Sequence, residues 1–156
     1  MRIEKDKLAI SILIPLAVGA VSGFLNGNAI RNFDMFPQSP LTPPDWVFPV
    51  VWTILYLLMG IASYLVYQQG SEHADVRQAL RLYILQLIFN YLWPVFFFQL
   101  EWFLFSFFWL LALWGMVLLL IRKFGTIRTI AGRLLIPYLV WLTFAAYLNW
   151  EVYRLN

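Results

Sequence analysis

Five stretches of this chain are apolar enough, for long enough, to cross a lipid bilayer, and nothing else about it limits the fold so severely. They run at about 7–26, 46–68, 79–99, 102–121 and 133–153. A helix needs about 20 mostly apolar residues to span the hydrocarbon. Inside lipid every backbone N–H and C=O must be paired within the protein, which leaves only helices and closed barrels. The alternating pattern of barrel strands is absent. The expected fold is therefore an all-α integral membrane protein, a bundle of five transmembrane helices forming one domain over residues 1–156. Composition agrees, with 62% hydrophobic and 12% charged residues, where soluble domains sit near about half and about a quarter. The first apolar run is too long for a cleavable signal peptide and lacks a small-residue cleavage site.

Five crossings put the N-terminus, the second loop and the fourth loop on one side. Those segments hold Arg2, Lys5, Lys7, Arg77, Arg81, Arg122, Lys123, Arg128 and Arg133, and the opposite side holds only Arg31 and Arg154. The acids divide evenly between the two sides. Lys and Arg collect on the cytoplasmic side of short-looped membrane proteins. The expectation is a multi-pass protein of a bacterial plasma membrane, N-terminus cytoplasmic and C-terminus outside, with no nucleic-acid partner.

Most connections are short, and the third is hardly more than residues 99–101. The first, about 27–45, is the exception. Long loops are usually functional or disordered. Because this one carries Phe33, Met35, Phe36 and several prolines, it reads as a lid over a mouth between helices rather than a loose linker. Helix one carries Gly19-x-x-x-Gly23-x-x-x-Gly27, a pattern that lets helix backbones approach closely. It is read as packing within the bundle in preference to a dimer seam.

Ionisable side chains at membrane depth usually mark proton relays or ion paths, and the middles of these helices contain none. The chain has no cysteine, and its one histidine, His73, lies in a loop as a solvated residue. No metal site, thiol chemistry or conventional acid–base site is expected. The helices carry aromatic rings and amides instead, with 14 Phe, 8 Trp and 8 Tyr. Phe48, Trp52 and Tyr56 follow one another at helical spacing. Tyr83, Gln86, Asn90, Trp93 and Phe97 share a face of the third helix, and Pro137, Trp141, Ala145 and Leu148 align on the fifth. An amide in mid-membrane must find a partner, so Gln86 and Asn90 should point inward. Trp46, Trp102, Trp150 and Tyr153 suit an interfacial belt, and Trp46 is also counted among the ligand-binding residues with Phe48, Trp52 and Tyr56. Single stripes of this kind usually serve helix packing. Three of them, with deep indoles and amides, suit a small-molecule pocket with apolar walls and a few polar points.

The stretches PPDWVFPVVWTILYLLMGIASY, LYILQLIFNYLWPVFFF and LLIPYLVWLTFAAYLNWEVYR resemble the translocator protein, or tryptophan-rich sensory protein, family (TspO/MBR), along nearly the whole chain. The resemblance implies a five-helix bundle, usually dimeric, with a ligand cavity under the first loop. It also implies binding of porphyrins and of isoquinoline-carboxamide or benzodiazepine-type compounds, sterol binding in some members, and light-driven porphyrin breakdown in some bacterial ones. Carried over by motif, the pocket residues are Trp52, Asn90, Trp93 and Trp141, with Ala145 and Leu148 below. No cofactor is implied, porphyrin being ligand or substrate. Three departures are visible. Pro49 stands one residue ahead of the family's proline position, which Val50 fills. Trp150 and Glu151 break the helix-five sterol pattern, so sterol binding is not expected. The small-residue seam credited with dimerisation is missing from helix three.

These residues suggest a membrane receptor for hydrophobic planar ligands. The alternatives are a porphyrin-degrading enzyme using Trp52 and Trp141 as redox groups, a porphyrin or small-molecule transporter, and a sensory protein that binds a partner.

Overall fold

The computed structural model describes residues 3–156; Arg2, counted above among the basic residues, lies outside them. Its elements are helices α1 (Lys5–Leu25), α2 (Gly27–Asn32), α3 (Val47–Tyr67), α4 (Ala74–Pro94), α5 (Phe103–Ile127), α6 (Thr129–Leu134) and α7 (Ile136–Leu155). A short 3-10 turn follows α2 at Phe33–Met35, and a π-helical turn at Val95–Gln99 extends α4. Five apolar spans result: α1, α3, α4 with its π-turn, α5, and α6 continued by α7. No strand occurs among the described residues. The protein is an all-α, multi-pass membrane bundle.

The helices run past the apolar runs at the basic end. α4 starts at Ala74 instead of about 79, and α5 continues to Ile127 instead of ending near 121. The expected fourth loop is a correction: nearly all of it is helix, broken only at Arg128, whose backbone is extended (φ −153°, ψ 119°). The physical reason is that Lys and Arg are good helix formers whose long stems let the charge reach the membrane surface. Hydropathy thus marks where hydrocarbon ends, which is short of where the helix ends. At the reversal, a Cβ on Gly132 would lie 2.8 Å from the Cα of Gly125, so α6 can fold back on α5 only with glycine there. Pro137 then allows no continuous helix through residues 133–137, and the chain bends at Leu135 before α7 begins.

Both ends of the bundle agree with the alternation of crossings. At the basic end, the backbone N–H of Glu4 donates to Tyr64 Oη at 2.7 Å, and Lys7 lies over the Tyr67 ring. At the other end Gln99 donates to the carbonyl of Leu25, and Asn156 donates to the carbonyl of Pro37.

Neighbouring spans close a ring. α1 packs on α3 and α4, α4 on α5, α5 on α6 and α7, and α6 on α3. α3 and α7 make no comparable approach. The ring is therefore closed on that side at the basic end, by α6, and splays toward the opposite end.

Candidate functional site

The splay between α3 and α7 is filled by aromatic rings. Phe48, Trp52 and Tyr56 do fall on one face of α3. Phe48 meets Trp141 with centroids 5.7 Å apart, and Trp52 meets Trp141 edge to face at 6.4 Å. Trp52 also stacks on Tyr56 at 5.6 Å and stands edge-on to Tyr138 at 6.2 Å. Such ring pairs stabilise by about 0.5–1.5 kcal/mol beyond their area.

Beneath the indoles runs a chain of hydrogen bonds. Tyr56 Oη donates to Asn90 Oδ1 at 2.7 Å. Asn90 Nδ2 donates to Tyr138 Oη at 2.8 Å, and Tyr138 Oη donates to Gln86 Oε1 at 2.8 Å. Gln86 Nε2 ends the chain against Met59 Sδ at 4.0 Å. All five side chains are buried. Both amides point inward and both are partnered, because an unpaired polar group costs several kcal/mol where no water can reach it. Beyond these two bonds the Asn90 amide keeps one N–H and one oxygen lone pair, and the residue is only 5% exposed.

The expected stripe on α4 divides at Pro94. Gln86 and Asn90 join the tyrosine chain, and Tyr83 lies buried toward the basic end against Phe124. Trp93 and Phe97, stacked at 4.8 Å, belong to the outer end. There Trp93 Nε1 donates to Asn149 Oδ1 at 3.0 Å, and Asn149 Nδ2 donates to the carbonyl of Phe103. Phe97 sits under the first loop, against Phe33 and Phe103.

On α7 the buried face is Tyr138, Leu142, Ala146, Asn149 and Val152, one residue on from the expected Pro137, Trp141, Ala145 and Leu148. This is a correction with a clear cause. Tyr138 and Asn149 carry polar groups that lipid cannot satisfy, so they take the interior. Trp141 is left at the edge facing α3, Ala145 and Leu148 are half-buried, and Pro137 is exposed, serving the helix break. Tyr138 and Asn149 are the residues that reading for aromatic stripes missed. Their signal was a polar group at i and i+11 on one helical face.

Trp46 is 68% exposed at the start of α3 and makes no ring contact among the described residues. Trp141 differs from three other indoles. Those of Trp93, Trp109 and Trp114 each donate a hydrogen bond. Trp141 Nε1 is buried and has no partner. A buried donor left unpaired costs about 1–3 kcal/mol, and an acceptor on a bound molecule would recover it. The site thus offers flat apolar walls and, at Trp141, a buried donor without a partner.

The model of the TspO/MBR family matches residues 11–154. The chain belongs to the TspO/MBR family. It is 36% identical over 150 residues to the tryptophan-rich protein TspO of Chlorobaculum tepidum, covering 96% of this chain and 95% of the relative. It is 42% identical over 115 residues to the tryptophan-rich sensory protein of Cereibacter sphaeroides, covering 73% and 70%. The translocator protein of Homo sapiens is 36% identical over 139 residues, covering 86% and 80%. In this TspO/MBR member the aromatic contact between α3 and α7 and the tyrosine–amide chain below it form the candidate site.

Proposed function

We propose that this protein is a membrane receptor for hydrophobic planar ligands, porphyrins foremost, and that it holds them between α3 and α7. The observation that carries this reading is the pairing of a ring-filled splay with the unpartnered indole N–H of Trp141. Flat rings can replace Trp52 and Phe48 against Trp141, and a carbonyl or carboxylate on the ligand can accept from Nε1. The same donor suits the carbonyl of isoquinoline-carboxamide and benzodiazepine-type compounds. Trp52, Tyr56, Asn90, Trp141 and Phe48 are the contact residues of this reading. Trp93 and Phe97 support the cover above them. The protein acts without a resident cofactor, as a homodimer in a bacterial plasma membrane, with its N-terminus cytoplasmic. The helix-five pattern broken by Trp150 and Glu151 gives no support to sterol as a ligand.

A second reading, light-dependent porphyrin breakdown, is favoured by the edge-to-face contact of Trp52 and Trp141. Indole is the most easily oxidised apolar side chain present. It can give an electron to a light-excited porphyrin, leaving an indole radical cation and a porphyrin radical anion; molecular oxygen then adds both its atoms to the macrocycle as the ring opens, and the electron returns to the indole.

Titrating the purified protein with protoporphyrin, first in darkness and then under light, tests both readings. Saturable quenching of Trp fluorescence with an unchanged porphyrin spectrum is the result expected of a receptor. Absence of quenching overturns it. Bleaching with new absorbance under light supports breakdown, provided that Trp52→Phe with Trp141→Phe still binds porphyrin and forms no product. Product at the original rate in that double variant assigns the indoles to binding alone. Transport would appear only as movement of porphyrin across sealed vesicles.

A further inference from the structure

We propose that ligands enter and leave sideways, from the lipid, through the seam between the outer half of α3 and α7 at Trp141, and that the first loop is a fixed cover. This inference rests on the receptor reading. Each neighbouring pair around the ring packs backbone against backbone except α3 and α7. What closes that seam is a set of side chains: Phe48 on Trp141, and Trp52 on Trp141. Side chains change rotamer far faster than packed helices separate. Both helices are apolar on the side turned away from the bundle, with Ile54 50% and Val140 63% exposed. A hydrophobic molecule dissolved in the bilayer meets no polar barrier on this approach. Rings that swing outward to admit it pass into hydrocarbon as apolar as the place they leave.

The outer end is closed quite differently. Phe33 contacts Phe97 and Phe98, and Phe36 contacts Phe103. Ser39 Oγ lies 3.4 Å from Tyr147 Oη, and Asn156 ties the carbonyl of Pro37 to the end of α7. Lifting this cover would carry several aromatic rings into water, where apolar surface is penalised. Of the two openings, the seam is the one that costs little.

The chain has no cysteine of its own, so a pair can be placed at Ser39→Cys and Tyr147→Cys and joined with a short bifunctional maleimide, fixing the loop to α7. A second pair, Phe36→Cys with Phe103→Cys, fixes it to α5. Capture and release of protoporphyrin are then followed by stopped-flow Trp quenching in lipid nanodiscs. Lateral entry is supported if both linked proteins keep rates within about twofold of the unlinked ones, the range expected when no lid is gating. It also requires that Phe48→Ala raise capture and release together, several-fold. Slowing by about tenfold or more in either linked protein overturns it and assigns the route to the loop. Unchanged rates in Phe48→Ala also overturn it. An unlinked protein that shows no quenching fails at the receptor reading itself, a result distinct from altered rates.

Discussion

Helix α3 has two faces built on opposite principles. Toward α1 it presents Gly60, where a Cβ would sit 2.5 Å from the Cα of Ile12, and it lays the Tyr56 ring on Gly19. Toward α7 it presents Phe48 and Trp52, which hold the helices apart. The first face joins backbones and leaves no room. The second joins side chains, which other flat rings could replace. A membrane bundle gains little by burying apolar side chains, since lipid is equally apolar, so close van der Waals packing does the work of association. Helices that forgo that contact, as α3 and α7 do, have exchanged backbone packing for ring contacts. The ring chemistry there is what a receptor uses.

The largest effect expected from breaking this comparison is at Gly60. Gly60→Leu forces α1 off α3, because the group in the way is backbone and cannot turn aside. Overpacking of this kind costs about 1–3 kcal/mol or more. The outcome should be loss of folded protein, or a sharply lowered midpoint in a thermal melt in detergent. A bulky change on the other face, Phe48→Trp, should leave the melt nearly where it was. Equal losses at both positions would mean that the two faces are packed alike.

Next in size is Asn90→Leu. It strands the hydroxyl of Tyr56 and removes the donor to that of Tyr138, which keeps its bond to Gln86. The expected loss is about 1–2 kcal/mol of stability, the range of hydrogen bonds between membrane helices. Tyr56→Phe, which removes one link, should cost about half as much. A melt of Asn90→Leu that matches the parent would show that the chain of bonds contributes nothing. This residue also shows what sequence can and cannot reveal. That Asn90 and Gln86 face inward followed from the cost of an amide in lipid. That Tyr56 and Tyr138 are their partners did not, since partner choice depends on how three helices come together.

Trp141→Phe should act on binding more than on stability. The variant removes a donor that has no partner, so the melt should hold or rise slightly. A ligand bearing a carbonyl or carboxylate should bind about tenfold more weakly, a change of about 1.4 kcal/mol. A hydrocarbon of the same shape should bind as before. Equal losses for both ligands would make Trp141 a wall and no more. That Trp141 lies at membrane depth was legible from the sequence. Its place at the edge of α7, one residue off the buried face, was not. Aromatic residues are equally at home against lipid and in the core, so their spacing does not by itself give the inward direction. Polar residues do, and Tyr138 and Asn149 were the better guides. Span number and order were plain from hydropathy, while helix ends were not, because Arg and Lys continue a helix that leaves the hydrocarbon.

The smallest effect is expected on the outer surface of α1, and it separates a motif from its use. Gly19, Gly23 and Gly27 repeat at the spacing of close helix contacts, yet only Gly19 is covered, by Tyr56. A Cβ on Gly23 or Gly27 would meet nothing within 4 Å. Of the α1 span only 11% is buried, against 44% of α3. The face bearing Gly23 therefore looks outward from the protein, and glycine there contributes no contact inside the bundle. Gly23→Ala should leave binding unchanged and, through the better helix propensity of alanine, hold the melting midpoint or raise it by the equivalent of at most about 1 kcal/mol. Gly19→Ala makes the contrast, since its Cβ would fall 2.2 Å from the Tyr56 ring and disturb the bond from that tyrosine to Asn90. A fall in the midpoint for Gly23→Ala in monomeric detergent preparations would mean that this face is packed within the chain after all. A fall confined to preparations that contain two chains would instead place a partner copy against α1. The two preparations, compared at equal detergent, decide which surface of α1 the repeat serves.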